Sequence, residues 1–223
     1  MFKKWLAIFQ KDTLMDRAYQ RSFDMLAITQ AMCMEAKVDL RLREDSEIDL
    51  SMKEKDIEVN KYEREVRRMV FNHLAVQGTA DLPSGLALIS IIIDIERLGD
   101  YAKNMIELAL DHPGKLHGGI FEGDIIRIET AVEDSFIQTQ KCFEKADAEK
   151  ALELLDKYEW VNDVCDEIVR NVVKEKDAHI RAGDSSALVL YVRWMKRVNS
   201  HLRNITTSVV NPFDRIGFQP KKK

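Results

Sequence analysis

LALISIIIDIERLGDYAKNMIELA, residues 86 to 109, decides how the chain folds. At the helical pitch of 100° per residue, Leu88, Ile91, Ile92, Ile95, Gly99, Ala102, Ile106 and Ala109 fall on one face, the natural core face of a bundle helix. Leu86, Ile89 and Ile93 do not. They share a second stripe with Glu96, Asp100 and Asn104, well over a right angle from the first. One helix is therefore expected to pack a core on one side and to offer, on another, apolar residues running into two carboxylates one turn apart.

The rest of the chain supports an all-α fold. Its 223 residues hold only 9 Gly and 4 Pro, and no stretch alternates with a period of two. The sequence predicts a first helix from a capping box at Thr13-Leu14-Met15-Asp16 to about Arg43. After a charged turn at Glu44 to Ser46, a second runs from about Glu47 to Val76, and a third begins at Asp81 and Pro83. Asp111 to Gly119 holds one Pro and three Gly and is the strongest breaker. Beyond it the plan repeats, with a helix from about Phe121 to Lys145, one capped by Asp147 to about Arg181, and one from the Gly183-Asp184 turn to Asn211-Pro212.

A direct test of duplication agrees with that plan. A shift of 100 places Leu188, Tyr191, Val192, Met195, Leu202 and Val209 on Leu88, Ile91, Ile92, Ile95, Ala102 and Ala109. The expected architecture is two tandem three-helix bundles, 13–110 and 120–210. Around them lie a leader 1–12, a linker 111–119 and a tail 211–223 ending in Lys221 to Lys223.

Composition excludes several classes. A net charge of −4 with both signs interspersed leaves no basic footprint for nucleic acid. The longest apolar run is broken at Ser90 and Asp94, short of the ~20 residues that cross a bilayer, and the N-terminus lacks a signal-peptide core and cleavage site. Cys33, Cys142 and Cys165 lie inside helical patterns, as expected in a reducing, cytoplasmic setting. Residues 2–9, with Phe2, Trp5, Leu6, Ile8 and Phe9 beside Lys3 and Lys4, read either as a leader packed on the bundle or as a short interfacial helix at a membrane.

No phosphate loop, nucleophile elbow, Glu-x-x-His tetrad or His-Glu-x-x-His occurs, so the chain is not expected to be an enzyme. His73, His179 and His201 read as packing or surface residues, and His112 and His117 stand in the linker with no partner in view. One constellation remains. If the second and third helices form a hairpin about Gly78 and Thr79, residues whose numbers sum to about 157 lie level. Asp56 then faces Asp100 and Asn60 faces Glu96, an oxygen-only set suited to Mg, Ca, Mn or Fe. A solvated ion-pair face with Arg64, Arg67, Arg68 and Arg97 fits the same spacing. In the second repeat Arg193, Lys196 and Ser200 replace Ile93, Glu96 and Asp100, with Arg203 close by. That stripe suits an acidic partner surface or anionic headgroups, or is a solvated face balanced by Asp163, Asp166 and Glu167.

Asp94-Ile95-Glu96-Arg97-Leu98-Gly99-Asp100-Tyr101-Ala102-Lys103-Asn104 resembles the signature helix of the PhoU family, and Asp56 to Asn60 resembles its companion motif. The resemblance extends over both repeats and is specific in the first. It implies paired three-helix bundles, often dimeric, on the cytoplasmic side of the membrane. Such adaptors serve phosphate transporters and sensor histidine kinases and restrain uptake or signalling when phosphate is plentiful. It also implies metal binding (Fe, Mn, Zn or Mg) at Glu96 and Asp100 with Asp56 and Asn60, whereas Lys196 and Ser200 depart from the pattern in the second repeat. For partner docking the candidates are Leu86, Ile89 and Ile93, with Arg193, Lys196 and Arg203 opposite. Packing of Leu86, Ile89 and Ile93 against the other bundle or a second copy is the competing reading.

Overall fold

A computed structural model describes residues 13–43 and 50–220, and among them there is no strand. The helices are α1 (Leu14–Arg41), α2 (Leu50–Gln77), α3 (Leu82–Asp111), α4 (Glu122–Lys145), α5 (Ala148–Lys157), α6 (Trp160–Val173) and α7 (Ala182–Val210). The leader 1–12, the turn Glu44 to Ser46, the expected start at Glu47 and Lys221 to Lys223 lie outside the described residues.

The first half follows the expectation closely. Thr13 caps α1, its hydroxyl accepting from the Asp16 amide at 3.2 Å while the Asp16 carboxylate accepts from the Thr13 amide at 3.0 Å. Between α2 and α3 the chain makes one 3-10 turn, Gly78–Asp81, which Gly78 opens with φ +74°. Asp81 does not cap α3 with its side chain. Its carboxylate instead meets His73 Nε2 at 2.8 Å, while Pro83 occupies the first turn where no amide is needed.

The second half corrects the expectation. The single helix predicted from Asp147 to Arg181 is two helices, broken at Tyr158 and Glu159 and finished at Val173. No Gly or Pro marks the break. Carbonyls released there are taken by α7, with the Arg203 guanidinium donating to Leu155 O and the Asn199 amide to Tyr158 O. At the end of α6, Glu175 sits in the left-handed region at φ 53°, so a non-glycine residue performs the stop. The following loop is held by the Asp177 carboxylate, which accepts from the amides of Ile120 and His179 at 3.1 and 3.0 Å. The last helix begins at Ala182, with Asp184 inside its first turn rather than in a preceding turn.

All eight residues of the expected α3 core face are buried, as are their six counterparts on α7. The hairpin register holds as well. An added Cβ on Gly99 would lie 3.6 Å from Val59, and one on Gly85 would strike the Leu74 side chain at 2.9 Å, so α2 lies directly against α3 where residue 85 has no side chain. Leu98 and Met105 are also buried, because α3 packs against α7 besides α1 and α2. The continuous helical stretch Ser51–Asp111 contains a window of mean hydropathy 1.4, long and apolar enough by composition to cross a membrane, contrary to the sequence expectation. That window is 33% buried, and Leu88, Ile91, Ile92 and Ile95 within α3 belong to the bundle core. Buried side chains form one cluster running through both halves.

The linker is tied down rather than loose. Leu116 is fully buried and its amide donates to Leu40 O at 2.9 Å. Arg41, at the end of α1, is buried and donates to Leu116 O, Glu122 and Glu129, the last at 2.8 Å, and Tyr191 of α7 gives its hydroxyl to the same Glu129 oxygen at 2.7 Å. One guanidinium therefore joins α1, the linker, α4 and, through Glu129, α7. Truncating it strands two carboxylates, one of them buried. Arg41→Ala is expected to cost about 3 kcal/mol in urea denaturation, and Glu129→Gln less, because the amide still accepts from Tyr191.

Candidate functional site

The outer face of α3 carries the predicted carboxylates, and α2 lies level with it as the register requires. Glu96 and Asp100 stand one turn apart, both partly buried, and Asp56 approaches them from α2. Partial burial, then Asp100, Glu63 and Asp56 as like charges, raise the Glu96 carboxyl above its ordinary value against the opposing pull of Arg97. Like charges have thus been gathered at one height.

What meets them is cationic side chains. Arg97 reaches Asp100 at 3.6 Å and Glu96 at 3.8 Å, and Lys103 reaches Asp56 at 3.8 Å. Asn60 turns its amide back to the Asp56 backbone oxygen, 2.9 Å away on its own helix. Glu35 of α1 is held by Lys55 at 2.6 Å. Among the described residues no three His, Cys, Asp or Glu side chains come close enough to hold a metal ion. As placed, Asp56, Asn60, Glu96 and Asp100 do not fit a preformed metal centre, since Asn60 points along its own helix and the flanks are occupied by Arg97 and Lys103.

The apolar stripe beside the carboxylates is only partly open. Ile93 is 40% exposed, while Leu86 and Ile89 are half-buried and Ile89 packs against the core. On α7 the cationic stripe contracts. Arg193 and Lys196 both lean on Asp166 of α6, Arg193 at 3.9 Å, and Ser200 bonds to Asn162. Arg203 turns inward to the end of α5, and burial lowers its guanidinium below the usual range. Two of the three expected docking cations therefore face outward.

Sequence reasoning missed how the signature helix is divided. Asp94, two residues before Glu96, points the other way and accepts from His201 Nδ1 at 2.7 Å and from the Asn204 amide at 2.8 Å, both on α7. Tyr101 stacks on the His201 ring with centroids 5.7 Å apart. His201 is thus a junction residue between the two halves. The linker His112, which had no partner in view from sequence, bridges Gly114 O at 2.8 Å and Asp184 at 3.0 Å. Long-range partners leave no local signature. Burial pushes the Cys33 and Cys165 thiols up to about 12 and Cys142 to about 11, so none offers a ready thiolate.

Comparison with known proteins bears on the same helices. Residues 23–109 match the family model described as the PhoU domain. PhoU from Pseudomonas aeruginosa is similar in structure over 88% of this chain and 95% of that one, with 21% identity and a TM-score of 0.79. The phosphate transport system regulatory protein PhoU from Streptococcus pneumoniae is similar over 88% and 93%, with 14% identity and a TM-score of 0.72. No match is found among curated proteins. At these identities the structures establish the shared fold, and the family-model match lies over residues 23–109, a stretch that includes the signature helix.

The electrostatics of Glu96 give a pH-dependent expectation. A carboxyl raised in the fold contributes stability that is present below the unfolded value and lost as pH rises through the folded one. Glu96→Gln is therefore expected to stabilise the protein at pH 7 by up to about 0.5 kcal/mol and to change nothing below the carboxylate range. Urea midpoints measured across that range check the sign, and a variant less stable at pH 7 would mean that a cation balances this carboxylate.

Proposed function

We propose that the chain is a non-enzymatic regulator of phosphate uptake and phosphate signalling. In this reading it is a cytoplasmic adaptor that docks a membrane phosphate transporter or its sensor kinase. The observation that carries the reading is the PhoU-domain match over the first bundle, supported by the likeness in fold to a phosphate transport system regulatory protein. The docking face is assigned to the outer side of α3. There Ile93 stands exposed among Glu96, Arg97 and Asp100, an apolar centre with a charged rim.

An adaptor of this kind acts by docking and needs no reacting group. Its cysteines are raised by burial, and His73, His112 and His201 are each engaged by an aspartate. Specificity would come from the mixed charges of the rim, which fix register more than they add affinity. In this reading the carboxylates serve as part of the charged rim, with Arg97 and Lys103 against them.

Ile93→Asp places a charge at the centre of the proposed face without touching the core. The variant is expected to keep its helicity by circular dichroism while losing at least about tenfold in affinity for the transporter or kinase in a two-component binding assay. In cells lacking the wild-type protein it should fail to restore phosphate-dependent repression of uptake. Full affinity and full repression would place the docking face elsewhere.

A further inference from the structure

The α2–α3 turn has a surface that neither packing nor the proposed docking face uses. Phe71 and Val76, in the last two turns of α2, are 69% and 80% exposed, among the most exposed apolar side chains of the described residues. Leu82, at the start of α3, is exposed beside them in sequence. Leu14 belongs to the same end. The Arg21–Glu65 pair at 3.1 Å sets α1 antiparallel to α2, which brings the α1 start level with the last turns of α2. Leu14, Phe71, Val76 and Leu82 thus lie at one end of one bundle, while the other exposed apolar side chains are spread over the rest of the described residues.

The charges around this end are arranged by height. Arg64 and Arg68 are exposed on α2, and among the described residues neither forms an ion pair. Arg68 lies eight residues before Val76 and Arg64 seven before Phe71, about 10–12 Å along the axis. The only acid in the turn itself, Asp81, is engaged by His73.

We infer that this end of the first bundle docks on an anionic lipid bilayer, with Phe71, Val76 and Leu82 entering the interface and Arg64 and Arg68 standing at the headgroups. The spacing suits that partner. Apolar side chains settle about 5–10 Å into the boundary between headgroups and acyl chains, which leaves arginines about two turns higher among the phosphates. Charge complementarity favours an anionic surface over a neutral one. Stable peripheral attachment takes two elements, and the exposed apolar side chains with the two arginines beside them supply one of each kind. Docked in this way the bundle axis stands off the membrane and the outer face of α3 remains free. The inference is independent of the proposed regulatory role.

The test is flotation of the full chain with vesicles of phosphatidylcholine and phosphatidylglycerol at 7:3, against vesicles of phosphatidylcholine alone. Binding is expected only to the anionic vesicles and should weaken in 0.5 M salt. Phe71→Ser/Val76→Ser and Arg64→Glu/Arg68→Glu are each expected to lower the partition coefficient at least about tenfold with unchanged thermal melts, since all four side chains are exposed. No binding to either vesicle overturns the inference. So does full binding by both variants, which would assign any attachment to the leader alone. A Phe71→Ser/Val76→Ser protein that turns from dimer to monomer in light scattering, with vesicle binding intact, would show instead that a second copy covers this end. Loss of capture of an acidic protein partner with vesicle binding intact would overturn it in favour of that partner.

Discussion

Helix α3 packs against α1, α2 and α7 at once, and most of the structure follows from that constraint. A helix held on three sides needs apolar residues over most of its circumference, so Leu98 and Met105 are buried along with the expected core face. Any polar group on the buried arc must be satisfied. Asp94 is such a group, and His201 and Asn204 of α7 satisfy it. The contact that joins the two halves is therefore a polar pin set in an apolar seam, which fixes one registration where an apolar seam alone would allow sliding.

The opposite end of the seam is fixed by the same kind of device. Arg41 gathers the linker carbonyl, Glu122 and Glu129, and Tyr191 completes the set. Burial also raises the Tyr191 hydroxyl well above its ordinary value, so it stays a donor to Glu129. Such clusters stabilise little in total, because desolvation opposes the attraction. Their consequence is geometric: the two bundles form one core with defined faces, and the surfaces they present keep a fixed relation.

Periodicity made the first half legible because its signals are local. Thr13 with Asp16, Gly78 at positive φ, Pro83 in a first turn and the sum rule across the hairpin are each readable within a few residues or from symmetry about one turn. The second half hid its break because Tyr158 and Glu159 carry no breaker chemistry. The carbonyls freed there are met by Asn199 and Arg203 some forty residues away. Glu175 and Ala146 end helices at positive φ without glycine, so those stops left no mark either. At the candidate site the sequence placed Glu96, Asp100 and Asp56 at one height, but it did not show which groups would fill the space between them. That depended on where Arg97 and Lys103 extend, which backbone periodicity does not determine.

The duplication then separates what the fold requires from what the surface is free to vary. Positions 88, 91, 92 and 95 and their counterparts 188, 191, 192 and 195 are buried in both halves. On the outer stripe Glu96 and Asp100 are replaced by Lys196 and Ser200, and the pairing acid moves to α6 as Asp166. Both stripes are neutralised internally, one by cations on its own helix and one by an acid on its neighbour. A partner that reads charge would meet different rims on the two halves, whereas one that reads only helix packing would meet nearly the same surface twice. The exposed Ile93, whose counterpart is Arg193, breaks even that second equivalence, so the two faces cannot serve as interchangeable docking sites.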